Sequence, residues 1–139
     1  MMYIRPTTEG DIKIFKPSRE DRLEAFAAGH DATFPDASEC VTLWGNGMPL
    51  AIGGNCENQV WFVTSYHVAH LTPREKMEFR KVIIEYRDKM LEQYETLWNY
   101  VWVGNKSHIR FLKTIGAEFH EVYGNDGQFQ LFTIKKEAT

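Results

Sequence analysis

The spacing of apolar and polar positions predicts seven strands. Apolar and β-branched runs of strand length occupy residues 3–5, 39–44, 48–52, 59–65, 98–103, 118–123 and 128–134. Asn46 and Gly47 join the second and third runs and residues 124–127 join the last two, so each pair is predicted to form a hairpin. The run at 59–65 does not alternate, which is typical of a strand covered on both faces, and we expect it to be central.

Two short helices are predicted between the first two strands. The first covers residues 8–15, with Thr8 or Thr7 as its cap. The second begins at Ser18, a good N-cap residue, and ends at Gly29. Its predicted apolar stripe consists of Leu23, Phe26 and Ala27.

A long helix follows the run at 59–65. Thr72, Pro73 and Glu75 form a capping box with proline at the first helical position. Apolar residues then recur every three or four positions, which places them on one helix face: Phe79, Ile83, Tyr86, Met90, Tyr94 and Leu97. A fourth helix of about ten residues is predicted to end at Ile115, before a Gly116 cap. The predicted order is β-α-α-β-β-β-α-β-α-β-β, a single α/β (α+β) domain over residues 1–139 with a mixed sheet.

The amino-acid composition of the chain argues against several classes of function. The chain has 139 residues, 43% of them hydrophobic, which is enough for one packed core. A net charge of −3 argues against a nucleic-acid partner, because such proteins usually gather basic residues to neutralise phosphates. The apolar runs are too short for a membrane span and the N-terminus has no signal-peptide core. Cys40 and Cys56 are expected to be reduced thiols, with a single disulfide as the alternative.

The order of elements resembles the GNAT-type N-acetyltransferase fold. The segment NKSHIRFLKTIG resembles the GNAT segment that begins with Asn and ends in Gly-Phe after the fourth helix, and Asn105 and Gly116 fall on the matching positions. This resemblance implies a pocket where the strand at 59–65 would donate backbone groups to pantetheine, with Phe62, Thr64, Ser65 and Asn105 as candidate cofactor-binding residues. An empty or water-filled gap between that strand and the strand at 98–103 is the alternative.

Two departures from the GNAT pattern bear on catalysis. GNAT enzymes hold the coenzyme A pyrophosphate with a glycine-containing loop at a helix N-terminus, whereas no glycine occurs here between Gly54 and Gly104. Leu112 stands where the family often has a tyrosine acid, and leucine cannot transfer a proton. We therefore expect no catalytic residues and no cofactor, with a divergent acyl-CoA-dependent N-acyltransferase using acetyl-CoA as the alternative.

A second resemblance is more specific in sequence. Strings between Phe34 and Ile134 resemble the internal virion protein A family of short-tailed bacteriophages: FPDASECVTL, PLAIGGNC, WFVTS, EYRDKMLE, LWNYVWVGN, SHIRFLKTIGA and DGQFQLFTI. The resemblance implies a virion core protein or assembly factor whose partners are other phage virion proteins. It also implies location in the virion, and in the host cytoplasm during assembly. A small adaptor that blocks a host factor is a further alternative.

Other candidate sites have ordinary structural explanations. His67 and His70 lack a carboxylate or cysteine at ligand spacing, so we expect no metal site there. Cys40 in a strand is expected to be a buried apolar residue. We attribute the Ser107–His108 pair to helix capping, since no G-x-S-x-G motif is present.

Aromatic residues beside turns are the candidate partner-binding residues. Trp61 and Trp102, on strands expected to be central, are assigned to the core. Trp44 lies beside the turn at Asn46, and Tyr123 beside the turn at 124–127. Because interface centres favour aromatic side chains, we expect Trp44 or Tyr123 to contact another protein. The sequence does not indicate an oligomeric state.

Overall fold

Seven strands form one mixed sheet in the order β1-β2-β3-β4-β5-β7-β6. The structure is a computed structural model that describes residues 1–29 and 34–136. The strands are β1 (Tyr3–Pro6), β2 (Cys40–Gly45), β3 (Met48–Cys56), β4 (Gln59–Thr64), β5 (Thr96–Trp102), β6 (Glu118–Gly124) and β7 (Phe129–Lys135). The helices are α1 (Glu9–Ile14), α2 (Arg19–Ala27), α3 (Pro73–Gln93) and α4 (Lys106–Thr114). The predicted order of elements is confirmed, with short 3-10 helices added at Ala37–Glu39 and Tyr66–His70.

The hydrophobic core lies on both faces of the sheet. Helices α3 and α4 cover one face, where the buried residues against β5 and β7 are Leu91, Leu97, Val101, Leu112, Ile115, Phe132 and Ile134. On the opposite face, Phe15 at the end of α1 packs with Cys40 and Ile52. Both cysteines are free thiols, and burial raises the pKa of the Cys40 thiol. Within the described ranges, no helix is both long enough and apolar enough to cross a membrane.

The capping box at the start of α3 is formed as predicted. The Thr72 hydroxyl accepts a hydrogen bond from the Glu75 amide at 3.2 Å, and the Glu75 carboxylate accepts one from the Thr72 amide at 2.8 Å. Glu75 also accepts a hydrogen bond of 2.8 Å from Asn46, which ties the β2–β3 turn to this helix. The helix ends at Gln93, so the predicted continuation to Leu97 is wrong: Leu97 keeps the helical spacing by coincidence but lies in β5.

Removal of the Thr72 hydroxyl is expected to destabilise the domain. We expect Thr72→Ala to lower the free energy of unfolding by about 1 kcal/mol, the usual loss for a capping hydroxyl. Denaturant unfolding measures the difference. Thr72→Ser, which keeps the hydroxyl, is the matched control. A Thr72→Ala protein as stable as the Thr72→Ser protein would contradict a capping role.

Helix α2 is turned the opposite way from the prediction. Leu23 is 38% exposed and Phe26 is 83% exposed, so these two residues of the predicted apolar stripe face outward, while Ala27 is half-buried. None of the nine residues of α2 is fully buried. The polar residues Asp21 and Glu24 face the sheet instead, because they hydrogen-bond groups of β4, β5 and the N-cap of α4.

Strand β4 is central in order but incompletely covered. It is the fourth of seven strands, as expected, yet all six of its residues are only half-buried. Trp61 and Trp102, both expected in the core, are half-buried, and Trp61 packs against the buried cluster of Phe15, Cys40 and Ile52. The residues of β4 are incompletely covered because β4 and β5 separate from one another, which opens a cleft in the middle of the sheet.

Candidate functional site

The cleft between β4 and β5 is the candidate site. These parallel strands pair only at Gln59 and Trp98. Beyond that point, the side chain of Asn99 replaces backbone pairing: its amide donates to the Val60 carbonyl at 2.7 Å, and its oxygen accepts from the Tyr100 amide at 2.7 Å. The side chains of Asn58 and Gln59 also hydrogen-bond across to β5, so polar side chains hold the lower end of the cleft together.

The upper end of the cleft is closed by the start of α2. The Asp21 carboxylate accepts hydrogen bonds from the Thr64 amide at 2.8 Å and from the Thr64 hydroxyl at 3.0 Å. The Thr64 carbonyl accepts from the Ser18 amide at 2.9 Å. Because alternate residues of a strand point their backbone groups to the same edge, Phe62 presents its amide and carbonyl to the cleft between Val60 and Thr64.

A buried polar group, Asn105, organises this end of the cleft. It is fully buried and caps α4, since its side-chain oxygen accepts a hydrogen bond from the His108 amide at 3.3 Å. Its side-chain amide donates to Asp21 at 2.8 Å and to Glu24 at 2.9 Å. We call Asp21, Glu24, Asn105 and His108 the α2 carboxylate cluster.

Two side chains of the cluster, Glu24 and His108, lie where burial disfavours their charged forms. Burial raises the pKa of Glu24 to about 7, against the opposing hydrogen bond from Asn105, and the nearby Asp21 charge adds to the increase. Burial lowers the pKa of His108, although Asp21 acts in the opposite direction. The His108 Nδ1 lies 3.8 Å from the Asp21 carboxylate, which is too far for a hydrogen bond. Burial therefore disfavours the charged forms of both Glu24 and His108.

Cavities lie on both faces of the cleft. The cavity under α3 and α4 has a volume of about 130 Å³ and is mostly apolar, with Leu112 in its wall. The cavity beside α2 has a volume of about 360 Å³. Both are bordered by the same five residues, which are Glu24, Trp61, Phe62, Asn99 and Tyr100. Glu24 and Phe62 therefore line the cleft on both of its faces.

The four candidate cofactor-binding residues lie around this cleft, with different roles. Phe62 lines both cavities, and its ring packs 4.6 Å from the His108 ring, centroid to centroid. The backbone and hydroxyl of Thr64 are engaged with α2, as described above. Ser65 is buried and caps the 3-10 helix after β4 by accepting a hydrogen bond from the His67 amide. Asn105 points toward the carboxylates of α2.

The two candidate partner-binding residues lie elsewhere. Trp44 is half-buried, and the guanidinium of Arg5 sits 4.7 Å from its ring centroid. Arg5 is fixed in turn by two hydrogen bonds to the buried Asp11 carboxylate, so Trp44 has an intramolecular partner. Tyr123, on the outermost strand β6, is 50% exposed.

Sequence reasoning missed three of the four cluster residues. Asp21 and Glu24 are not among the residues that the sequence singles out, and the sequence attributes the Ser107–His108 pair to helix capping. His108 instead packs its ring, with only 11% of the side chain exposed, against Phe62, and Asn105 is the cap. The local signal that existed was the spacing of Asp21 and Glu24 by three positions, on the helix face opposite Leu23 and Phe26.

Comparison with known proteins identifies the family. The family described as "Bacteriophage T7, probable scaffold protein Gp13" matches residues 39–124. Over 136 residues the chain is 68% identical to the probable scaffold protein gp13 of Escherichia phage T7, covering 98% of this chain and 99% of that protein. The chain belongs to the gp13 family. The expected resemblance to a bacteriophage protein family is confirmed at the level of the gp13 family. The α2 carboxylate cluster is therefore a feature of a gp13-family chain.

Solved structures confirm the GNAT-like fold of this gp13-family chain. An acetyltransferase from Agrobacterium tumefaciens aligns with a TM-score of 0.65 at 13% identity, covering 97% of this chain and 91% of that one. The GNAT domain of S. lividans PAT aligns with a TM-score of 0.64 at 11% identity, covering 96% and 89%. The ribosomal-protein-S18-alanine N-acetyltransferase from Escherichia coli aligns with a TM-score of 0.56 at 13% identity, covering 100% of this chain and 96% of that one. At these identities the likeness concerns the fold alone.

Proposed function

We propose that this chain is an internal virion (core) protein or a virion assembly factor of a bacteriophage, built on a GNAT-like scaffold that does not transfer acetyl groups. Its partners are other phage virion proteins, and it acts in the host cytoplasm during assembly and in the virion. The 68% identity to a T7 protein named as a probable scaffold protein supports the assembly role. The internal virion assignment rests on the sequence strings between Phe34 and Ile134.

One structural observation carries the non-enzymatic part of this proposal. The resemblance to GNAT enzymes implies that pantetheine would bond to the β4 edge, but at Thr64 that edge already bonds Asp21 and Ser18. A ligand would have to displace a charged hydrogen bond of 2.8 Å, which is among the stronger kinds in proteins. The free amides at the start of α3, where a pyrophosphate would bind, are reduced by Pro73 and by the Thr72 cap.

A divergent acyl-CoA-dependent N-acyltransferase is the second candidate function. The observation that favours it is Glu24, whose pKa of about 7 suits a general base and whose side chain borders both cavities. Leu112 supplies no acid on the opposite side of the cleft. This alternative therefore requires water or another side chain to protonate the leaving thiolate.

Deletion of the gene from the phage tests the assembly role. We expect reduced yield of infectious particles, restored by the wild-type gene supplied in trans. Particles of unchanged number and protein composition would contradict the proposal.

Two single substitutions then test the candidate contact residues. We expect Trp44→Ser and Tyr123→Ser to leave the isolated domain folded and to reduce particle assembly in at least one case, since aromatic residues dominate interface energetics. Met77→Ser, which alters a 73% exposed side chain on α3, is the matched control. Normal particle yield from both folded variants would remove these two residues from the contact surface.

A further inference from the structure

Hydrogen bonds hold helix α2 over the cleft. None of its nine residues is fully buried, and its apolar side chains Leu23 and Phe26 lie on the exposed side. The cavity of about 360 Å³ has residues of both α2 and β4 in its walls, so apolar packing between the helix and the strand is incomplete. Because elements with few buried apolar contacts open at low free-energy cost, α2 is expected to open more easily than the sheet beneath it.

The chain just before α2 is anchored to the end of β4 by its backbone. The Ser18 amide donates to the Thr64 carbonyl at 2.9 Å, and a β-bridge joins Pro17 to Ser65. These contacts do not involve the side chains of Asp21 and Glu24. Residues 17–18 can therefore stay in place while the helix beyond them moves.

Two carboxyl groups fasten the body of α2 across the cleft. Asp21 accepts a hydrogen bond from the Thr64 amide, and Asp21 and Glu24 lie 2.8 and 2.9 Å from the same side-chain nitrogen of Asn105. Two negative charges held at one nitrogen repel each other. Burial, and then the charge of Asp21, raise the pKa of Glu24 to about 7. The closed arrangement is therefore favoured when Glu24 carries a proton.

Other charged and titratable groups reach the same cavities from α2, α3, α4 and β5. They are Asp21 on α2, Tyr86 and Arg87 on α3, His108 on α4 and Tyr100 on β5. Arg87 already donates to the Ile115 carbonyl at 2.7 Å and to Asp88. Burial lowers the pKa of His108, which moves its protonation away from neutral pH. Glu24 is therefore the group through which a change near neutral pH acts on α2.

We propose that α2 is a pH-sensitive latch: as the pH rises, the bonds of Asp21 and Glu24 to Thr64 and Asn105 break more often, and the helix swings away from the cleft about residues 17–18. We call Arg19–Ala27 with its two carboxyl groups the α2 latch. Opening gives solvent access to the backbone of Phe62 and to the two cavities, while the sheet, α3 and α4 stay folded. This inference does not depend on the assembly role.

Amide hydrogen exchange of the full-length chain, followed by NMR, tests the latch. Two adjacent amides report on different contacts, since the Thr64 amide donates to Asp21 and the Ser65 amide donates to the Leu50 carbonyl at 2.8 Å. We expect the protection factor of Thr64 to be about tenfold or more below that of Ser65. Low concentrations of urea should accelerate the exchange of Ser65 but not of Thr64, because latch opening exposes little surface.

The pH dependence of the Thr64 protection factor tests the switch. The pKa of Glu24 is raised in the closed state, so the closed state is favoured at low pH and this advantage is lost as the pH rises through about 7. We expect the protection factor of Thr64 to fall about tenfold or more between about pH 5 and about pH 8. Glu24→Gln keeps the acceptor oxygen but cannot ionise, so its Thr64 protection factor should not change over this range. Arg22→Gln, on the exposed side of α2, is the matched control and should follow the wild type.

Asp21→Ala removes the acceptor of the Thr64 amide. We expect Thr64 to lose its protection in this variant while Ser65 keeps it, which also shows that the domain is folded. The comparison of Thr64 with Ser65 in the wild type needs no variant, so it decides the proposal even if Asp21→Ala does not fold.

Two results would overturn the proposal. Equal protection of Thr64 and Ser65 with the same urea dependence would show that α2 leaves the cleft only when the whole domain unfolds. A fall in Thr64 protection that persists in Glu24→Gln would assign the pH dependence to another group, such as His108.

Discussion

Asn105→Ala is expected to lower the free energy of unfolding by about 3 kcal/mol. The substitution removes the N-cap of α4, which is worth about 1 kcal/mol. It also removes the side-chain amide that donates hydrogen bonds to Asp21 and Glu24, and leaving these buried carboxylates unpaired costs about 1–3 kcal/mol. Chemical denaturation followed by circular dichroism measures the loss. Lys106→Ala, at the exposed next position of α4, is the matched control and should change stability by less than about 0.5 kcal/mol.

Asn105→Asp separates the two roles of this residue. Aspartate keeps the capping oxygen but replaces the donor with a third carboxyl group beside Asp21 and Glu24. We expect this variant to be destabilised at neutral pH and to recover as the pH is lowered and the carboxyl groups are protonated. Equal stability of the Asp and Asn proteins at neutral pH would contradict the assigned hydrogen bonds.

Glu24→Gln is expected to stabilise the protein at alkaline pH. The pKa of Glu24 is raised from 4.5 to about 7 by folding, so the folded state takes up a proton between these values. Proton uptake by Glu24 adds to the free energy of unfolding. This contribution is fully present below about pH 4.5 and is lost as the pH rises through about 7. At about 1.36 kcal/mol per pKa unit, the wild type loses about 3 kcal/mol relative to the Gln variant across this interval.

Unfolding curves at a series of pH values measure this difference. The Gln side chain keeps the oxygen that accepts from Asn105 and Trp102, so the two proteins should be equally stable at about pH 4 and diverge above neutrality. Glu92→Gln, on the exposed side of α3, is the control and should follow the wild-type curve. A constant stability difference at all pH values would show that Glu24 is not held in a desolvated site.

The elements of the fold were predictable because their signals are local. The Thr72 capping box and the turn at Asn46 each depend on a few adjacent residues, and both formed as expected. The orientation of α2 depends instead on Thr64 and Asn105, which are 43 and 84 residues away from Asp21 in sequence. Periodicity located a helix with an apolar face and a polar face, but it could not determine which face turns inward.

The candidate site was likewise predictable only in part from the sequence. Asn105 was identified through its position in a GNAT-like segment, and the gap between β4 and β5 was one of the two alternatives for the pocket. The closure of that gap by Asp21, Glu24 and Asn99 was not predictable, because no local pattern indicates which side chains will bond the separated strand edges. A polar residue in a short helix is ordinarily solvated, and only the three-dimensional structure places it inside.

Calorimetric titration of the purified chain with acetyl-CoA tests the central claim most directly, because the claim is that this chain's own groups bond both ends, at Val60 and Thr64, of the strand edge that a GNAT enzyme offers to its cofactor. The E. coli ribosomal-protein-S18-alanine N-acetyltransferase, titrated under the same conditions, is the positive control. We expect no measurable binding heat for the gp13-family chain and no acetyl transfer to any amine tested. A micromolar dissociation constant, equivalent to about −8 kcal/mol, together with acetyl transfer would contradict the account.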